Sequence, residues 1–205
     1  MIGVIDYKAG NSASMLTALR RVGAEAALFA RPEGLDGVDR LILPGVGSAR
    51  ATMDTLGEAG WVEALERLVL RGGMPFLGVC VGLQVLFAHS AEEDTDTLGF
   101  LPGRVTRFPA GRVRVPQIGW NAVTFRRAHP LLKGLGTTGH FYFVNSYHAV
   151  PASASDILAE TDYGGVFCSA VARDNLAATQ FHLEKSGETG LAMLKNFAAW
   201  NGGGG

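Results

Sequence analysis

Hydrophobic residues in the first half of the chain form short runs, and the segments between several of these runs carry apolar residues at helical spacing. Four runs are typical of strands: residues 1–6, 26–29, 40–43 and 75–79. Two segments, 11–22 and 61–70, repeat apolar residues every three or four positions and predict amphipathic helices. Alternation of strands with helices predicts a parallel sheet covered by helices on both faces.

The second half of the chain has a different pattern, in which strand-like runs follow one another. The predicted strands are residues 104–108, 120–125, 141–147, 166–173 and 176–181. Turn signals at 109–111 and 162–165 separate them, so we expect an antiparallel extension of the parallel sheet. A final helix is predicted over 188–200. We expect one α/β domain over residues 1–201, followed by a flexible glycine tail at 202–205.

Composition narrows the choice of partners and compartment. The 205 residues are 47% hydrophobic and 18% charged, with a formal net charge of −1, which suits one globular domain. Nucleic acid and membrane surfaces are poor candidate partners because there is no basic stripe. Two cysteines are too few for a disulfide framework, and the first residues lack a signal-peptide pattern. We therefore expect a reduced, cytoplasmic setting.

The sequence around Cys80 carries the strongest chemical signal. Residues 74–84 (Met-Pro-Phe-Leu-Gly-Val-Cys-Val-Gly-Leu-Gln) form an apolar run that ends in Gly-x-Cys-x-Gly and then becomes helical. The serine form of this pattern is the nucleophile elbow, where a sharp strand-to-helix turn presents the nucleophile. We interpret the flanking glycines as allowing the turn, and we expect amides of the following helix to favour a thiolate. A small buried hydrophobic residue is the alternative role for such a cysteine.

A histidine and a carboxylate supply the remaining members of a nucleophilic triad. His182 and Glu184 lie two residues apart after a predicted strand, and alternation along an extended backbone predicts that they share one face. A histidine base oriented by a carboxylate activates a thiol nucleophile. A solvent-exposed pair at a strand end is the alternative, and the presence of an elbow cysteine makes it less favoured.

A glycine-rich turn follows the strand at 40–43. Gly45 and Gly47 flank Val46, and we expect them to free the backbone so that an amide can face a ligand. Attack on a carboxamide places negative charge on its oxygen, which needs such donors. We expect the oxyanion donors to be the amides around Val46 and Gly47 together with that of Val81.

These motifs together resemble a known family. Residues 78–84, 180–186 (Gln-Phe-His-Leu-Glu-Lys-Ser) and 44–47 (Pro-Gly-Val-Gly) are similar to the nucleophile, His-x-Glu and oxyanion motifs of class I (triad) glutamine amidotransferases. Residues 5–11, 116–121 and 141–147 narrow the resemblance to the glutaminase subunits of imidazole glycerol phosphate synthases, in histidine biosynthesis. Six motifs match in order over nearly the whole chain. The resemblance implies a flavodoxin-like parallel sheet with flanking helices and an antiparallel extension.

The resemblance also implies a reaction. Members of this family hydrolyse L-glutamine to L-glutamate and ammonia, and they pass the ammonia to a cyclase subunit in a heterodimer. The cyclase forms imidazole glycerol phosphate and an aminoimidazole carboxamide ribotide. By resemblance, Cys80 attacks the carboxamide, His182 moves the proton and Glu184 orients His182. No metal and no cofactor are implied, and the free glutaminase is expected to be nearly idle without its partner.

Further site residues are carried over from the same motifs. The residues implied in glutamine binding are Gly47, Gln84, Ser146 and Tyr147. Those implied at the cyclase interface are Asn11, Pro116, Trp120, Asn121 and Lys185. Three positions depart from the family pattern, with Leu183 in place of proline, Asn145 in place of histidine and Lys8 in place of glycine. Leucine can adopt extended geometry, so we expect the triad to survive this change.

Three other functions share parts of this pattern. The first is the glutaminase subunit of another ammonia-channelling enzyme, such as pyridoxal phosphate synthase, from which residues 116–121 and 141–147 discriminate. The second is a stand-alone thiol hydrolase acting on γ-glutamyl bonds, which would need no partner. The third is an interaction module without chemistry, which the replacement of Cys80 by alanine would reveal.

Overall fold

The computed structural model describes residues 1–8 and 11–204 of the chain. Within them, the helices are α1 (Ser12–Arg21), α2 (Ala49–Glu58), α3 (Trp61–Leu65), α4 (Val81–Gln84) and α5 (Gly187–Ala199). The first strands are β1 (Ile2–Ile5), β2 (Ala26–Phe29), β3 (Arg40–Gly45), β4 (Phe76–Cys80), β5 (His89–Ser90), β6 (Thr95–Asp96) and β7 (Gly103–Arg107). The later strands are β8 (Gln117–Phe125), β9 (Thr138–Asn145), β10 (Tyr147–Pro151), β11 (Ile157–Asp162), β12 (Val166–Arg173) and β13 (Leu176–Thr179).

One branched sheet organises the molecule. Its parallel part has the order β2-β1-β3-β4-β13, which is the flavodoxin-like arrangement predicted from the sequence. Beyond β13 the pairing becomes antiparallel through β12, β10 and β7, and a branch runs from β12 through β11 and β8 to β9. In sheets of this kind ligands bind at the carboxyl ends of the parallel strands.

Apolar side chains of the parallel strands are buried on both faces. All residues of β1 and β4 are buried, as expected for central strands covered by helices. Helix α1 packs against α5, and α2 packs against α3. The largest fully buried side chains include Trp61, Phe76 and Phe141. None of the helices in the described part of the chain is both long enough and apolar enough to cross a membrane.

Several elements differ from the sequence prediction. Helix α2 was not predicted, because its buried positions Ala49, Thr52 and Leu56 give little hydrophobic contrast. Strand β11 was also not predicted. The run at 141–147 divides at Ser146 into β9 and β10 instead of forming one strand. The helix expected over 61–70 is α-helical only to Leu65 and continues as a π-helical turn over Glu66–Arg71.

Candidate active site

Strand β4 ends at Cys80, where the chain turns into the short helix α4. Cys80 has φ 58° and ψ −107°, an uncommon conformation for a residue with a side chain. This strained geometry is the one that a nucleophile elbow imposes on its central residue. The thiol is 4% exposed and lines a cavity at the carboxyl edge of the parallel strands. The thiol is therefore shielded by the protein yet accessible to a ligand in this cavity.

The two glycines of the elbow serve close packing. We interpreted them as allowing the turn, but the residue with the unusual backbone angle is Cys80, and neither Gly78 nor Gly82 has positive φ. A Cβ on Gly78 would collide with the carbonyl oxygen of Gly82, and a Cβ on Gly82 would collide with that of Leu43. Glycine is needed at both positions because β4, α4 and β3 meet too closely for any side chain.

His182 and Glu184 form a hydrogen-bonded pair beside the thiol. The distance between His182 Nδ1 and Glu184 Oε1 is 2.8 Å, and both side chains are almost fully buried. The extended alternation predicted for them is wrong, because Leu183–Lys185 form a 3-10 turn. This turn brings the two side chains together while Leu183 packs into the core. Since Nδ1 is engaged by Glu184, Nε2 is the ring nitrogen available to act on substrate.

Burial, hydrogen bonds and charges in this site shift the pKa values of His182 and Glu184. Burial alone lowers the pKa of His182, but interactions with Cys80 and Glu184 outweigh it and raise the pKa to about 9. Burial acts to raise the pKa of Glu184, but the hydrogen bond and charge of His182 lower it below its ordinary value. The pair therefore consists of an imidazolium and a carboxylate near neutral pH. A proton is therefore held on His182, next to the Cys80 side chain.

The loop after β3 forms one wall of the cavity. Val46 and Gly47 both line it, and Gly47 has φ +109°, which favours glycine. Gly45 has a different role from the one predicted, because a Cβ there would meet the Tyr7 hydroxyl at 2.5 Å. On the opposite side, Val81 opens α4, so its amide has no acceptor within the helix. Backbone amides near Gly47 and at Val81 border the same space as the thiol.

The cavity has a volume of about 240 Å³. It is lined by Val46, Gly47, Cys80, Val81, Gln84, Glu92, Pro116, Val144, Asn145, Ser146, Tyr147, His182 and Lys185. Most of the lining comes from β4 and α4, from the loop after β3, and from the region where β9 and β10 meet. All four residues expected to bind glutamine lie in this lining. Cys80, His182 and the expected oxyanion residues lie there as well.

The side chain of Gln84 is partly committed to other protein groups. Its Nε2 atom donates to the Tyr147 carbonyl oxygen at 3.3 Å and to Gln180 Oε1 at 3.1 Å. The Nδ2 atom of Asn145 donates to the same Tyr147 carbonyl at 2.9 Å. The Tyr147 carbonyl oxygen is therefore held by two side-chain amides. Only the Oε1 atom of Gln84 remains to contact a substrate.

Comparison with known proteins identifies the family. The model of the family "Glutamine amidotransferase class-I" matches residues 3–200. The chain belongs to the class I glutamine amidotransferase family. This amidotransferase is 46% identical over 204 residues to the imidazole glycerol phosphate synthase subunit HisH of Syntrophotalea carbinolica, covering 96% of this chain and 98% of that one. It is 45% identical over 210 residues to the protein of the same name from Chromobacterium violaceum, covering 98% of each chain.

Solved structures share the fold of this amidotransferase. A protein described as a glutamine amidotransferase matches with a TM-score of 0.77 at 23% identity, covering 97% of this chain and 99% of that one. The PurLQS structure from Thermotoga maritima matches with a TM-score of 0.75 at 17% identity, covering 96% of each chain. The fold predicted from the sequence and the family resemblance are both confirmed.

The residues expected at a partner interface occupy different positions in the amidotransferase. Pro116 and Lys185 lie at the cavity, and both are exposed. Trp120 is 57% exposed on β8, outside the cavity lining. The side chain of Asn121 donates to the Asp162 carbonyl oxygen at 3.0 Å. The interface assignment stays a prediction for all of them.

Asn11, which is expected at an interface, also contacts the Glu184 carboxylate. Its Nδ2 atom donates to Glu184 Oε1, the oxygen that also contacts His182, so it helps to hold the carboxylate. The N-terminal motif of residues 5–11 includes residues 9 and 10, which lie outside the described residues. Lys8 stands where the family usually has glycine, and it adopts φ 63° in the left-handed region.

Sequence reasoning missed two polar residues of the site. Glu92 lines the cavity, and its carboxylate accepts a hydrogen bond from the Ala49 amide at 2.8 Å. Gln180 is fully buried, and its Nε2 atom lies 3.7 Å from the Cys80 sulfur. Glu92 sits in an acidic loop at residues 91–94 whose pattern suggests a solvated turn. Gln180 belongs to the motif at residues 180–186, but nothing in its spacing indicates contact with the Cys80 sulfur.

Proposed function

We propose that this chain is the glutaminase subunit of an imidazole glycerol phosphate synthase in L-histidine biosynthesis. The observation that carries the proposal is the pairing of His182 with Glu184 next to Cys80, with Cys80 and His182 lining a cavity of about 240 Å³. The names of its relatives support the choice of synthase. Under this proposal the chain hydrolyses L-glutamine to L-glutamate and ammonia, and a cyclase subunit consumes the ammonia.

The proposed reaction begins with attack of the Cys80 thiolate on the side-chain carbonyl carbon of glutamine. A carbon–sulfur bond forms, and the carbonyl oxygen becomes an oxyanion facing the amides at Val46, Gly47 and Val81. Collapse of this intermediate breaks the carbon–nitrogen bond. The leaving nitrogen takes the proton held by His182, whose pKa is raised to about 9, and departs as ammonia.

Hydrolysis of the resulting thioester completes the cycle. His182, now neutral, accepts a proton from an attacking water, and the carbon–sulfur bond breaks to give glutamate and the free Cys80 thiolate. Glu184 keeps the imidazole oriented throughout, since its Oε1 atom lies 2.8 Å from His182 Nδ1. Asn11 donates a hydrogen bond to the same carboxylate oxygen. No metal or cofactor takes part in these steps.

Groups at the cavity wall fit the amino-acid end of glutamine. The carboxylate of Glu92 can bind the substrate ammonium, because it is the acidic side chain that lines the described cavity wall. Burial raises the pKa of Glu92, although the hydrogen bond from Ala49 opposes this effect. The backbone amides at Ser146 and Tyr147, which also line the cavity, can receive the substrate carboxylate. The replacement Glu92→Gln is expected to raise KM for glutamine more than it lowers kcat.

An exposed apolar surface beside the cavity supports docking of the cyclase. Ile118 and Trp120 on β8 are 64% and 57% exposed, and their cross-strand partners on β9 are Val144 and Tyr142. Val144 also lines the cavity, so this surface is continuous with the site. Exposed apolar patches next to a site commonly mark protein interfaces. Pro116, Asn121 and Lys185 complete the proposed contact area.

We also propose a cytoplasmic location, with which the two free thiols accord.

Activity assays with and without a cyclase test this proposal. Glutamine hydrolysis is measured for the chain alone, with a cyclase subunit, and with that cyclase and its nucleotide substrate. We expect hydrolysis to rise on assembly and the Cys80→Ala variant to lose glutamine-dependent cyclisation while ammonia-dependent cyclisation continues. Equal hydrolysis with and without the cyclase would favour a stand-alone hydrolase. Hydrolysis by the Cys80→Ala variant would contradict the nucleophile assignment.

A further inference from the structure

A chain of side-chain amides runs behind the nucleophile. Gln180 lies between the end of β13 and His182 and is fully buried. Its Nε2 atom is 3.7 Å from the Cys80 sulfur, and its Oε1 atom accepts from Gln84 Nε2 at 3.1 Å. Gln84 Nε2 also donates to the Tyr147 carbonyl oxygen at 3.3 Å. The chain thus leads from the substrate-binding backbone to the reacting sulfur.

The direction of this chain follows from its backbone end. A carbonyl oxygen can only accept hydrogen bonds, so the group of Gln84 that faces Tyr147 must be the NH₂. The same NH₂ faces Gln180, which must therefore present its carbonyl oxygen there. The NH₂ of Gln180 then has to point toward Cys80. The Tyr147 carbonyl oxygen therefore fixes the orientation of both side-chain amides, so that an N–H group of Gln180 faces the Cys80 sulfur.

A buried donor affects the thiol and the thiolate differently. A neutral sulfur is a weak acceptor, and the thiol can direct its own proton toward the Val144 carbonyl oxygen at 3.8 Å. Once the proton has gone to His182, the sulfur carries a negative charge, and a hydrogen bond to an ionised acceptor is about twice as strong as a neutral one. Gln180 favours the charged form for this reason. Burial strengthens the effect, because water does not compete for the donor.

We propose that Gln180 is a catalytic residue whose side-chain NH₂ stabilises the thiolate of Cys80, and that Gln84 holds it in the required orientation. The inference rests on the proposed function only in taking Cys80 as the nucleophile. Gln84 then has a second role besides lining the cavity. It connects the Tyr147 backbone, which is also held by Asn145 at 2.9 Å, to the donor at the sulfur.

Alkylation of Cys80 as a function of pH tests this inference without glutamine or a cyclase. The background is Cys168→Ala, so that only Cys80 reports, and the reagent is iodoacetamide. With Gln180→Leu the labelling profile is expected to move to higher pH, with labelling on the rising part of the profile about tenfold slower for each pH unit of movement. Gln180→Glu keeps the shape but replaces the donor by a carboxylate, and we expect a larger movement in the same direction.

A matched control separates this effect from loss of stability. Thr161→Val removes the buried hydrogen bond from Thr161 Oγ1 to Ser169 Oγ, 2.9 Å in length, which does not involve Cys80. It is expected to destabilise the fold without moving the labelling profile. If Gln180→Leu does not fold, Gln84→Leu tests the same series of hydrogen bonds and is expected to move the labelling profile less far in the same direction. Unchanged profiles in the folded Gln180 variants, or in Gln84→Leu if these do not fold, would overturn the inference even where the chain hydrolyses glutamine normally.

Discussion

The two cysteines of this protein are almost equally buried, at 4% exposure for Cys80 and 5% for Cys168, yet their surroundings differ completely. Cys80 lies at the end of β4, in contact with Gln180 and interacting with His182, on the wall of a cavity. Cys168 lies inside β12, where its thiol contacts the Ala170 carbonyl oxygen at 3.3 Å. Burial raises the pKa of Cys168 to about 12, and the nearby Glu160 and Asp156 carboxylates act in the same direction.

The difference shows that position along a strand matters more than exposure. Inside β12, neighbouring strands β10 and β11 flank Cys168, and the backbone N–H and C=O groups around it form the hydrogen bonds of the sheet. At the end of β4 the ladder stops, so loops from distant parts of the chain can bring polar side chains to the sulfur. A buried thiol becomes reactive where cationic and donor groups converge on it, and it stays inert elsewhere.

The largest expected difference between the two sites is their reactivity. In the native protein at pH 7, we expect iodoacetamide to label Cys80 at least about a thousand times faster than Cys168, because a thiol with a pKa of about 12 has almost no thiolate. Mass mapping of the labelled peptides measures the ratio. In urea both cysteines should react alike, which serves as the control. Similar labelling rates for Cys80 and Cys168 in the native protein would contradict this prediction.

A second prediction concerns the oxyanion loop. Gly47→Ala places a side chain on a residue with φ +109° and should misalign the local amides, lowering glutamine hydrolysis by roughly a hundredfold. Labelling of Cys80 should persist, because the thiol itself is unchanged. Gly57→Ala is the matched control, since Gly57 lies in α2 with open space around it. This control is expected to retain activity and gain up to about 1 kcal/mol of stability. Equal losses of activity in both variants would contradict the prediction.

A third prediction concerns the dependence of stability on pH. The pKa of His182 is raised from 6.5 to about 9, so folding favours its protonated form. Its contribution to the free energy of unfolding is complete below pH 6.5 and is lost as pH rises through about 9. Cys80→Ala removes one of the interactions that raise the pKa of His182. The free energy of unfolding, measured in urea, should therefore decline less between pH 6.5 and about 9 in this variant. A decline of the same size in both proteins would show that Cys80 does not act on His182.

The smallest effects are expected at Cys168. Cys168→Ala leaves a small space in the core and should cost about 1 kcal/mol in the free energy of unfolding. Hydrolysis of glutamine should stay within about twofold of the unmodified protein, because β12 presents this thiol to the core. Chemical denaturation and the activity assay measure the two quantities. A tenfold loss of activity with normal folding would mean that Cys168 influences the site.

Local pattern was enough to predict most of the parallel sheet, because its strands are continuous apolar runs. It failed for α2, whose inward residues Ala49 and Thr52 are barely apolar, and for the break at Ser146 between β9 and β10. The triad residues could be identified from motifs. Glu92 and Gln180 could not, because each matters through its position in the assembled cavity.

The amino-acid pattern alone was enough to establish that Cys80 follows a buried strand in an elbow motif, that a histidine and a carboxylate come later, and that the chain belongs with the class I glutamine amidotransferases. How these groups meet depends on the folded chain. A 3-10 turn pairs His182 with Glu184, and the Tyr147 carbonyl orients Gln84 and Gln180 toward Cys80. Hydrogen-bond direction and local charge depend on groups that are far apart in the sequence, such as Cys80 and Gln180, which are separated by 100 positions. We therefore expect Cys80 to be reactive and Cys168, which lacks these groups, to be inert.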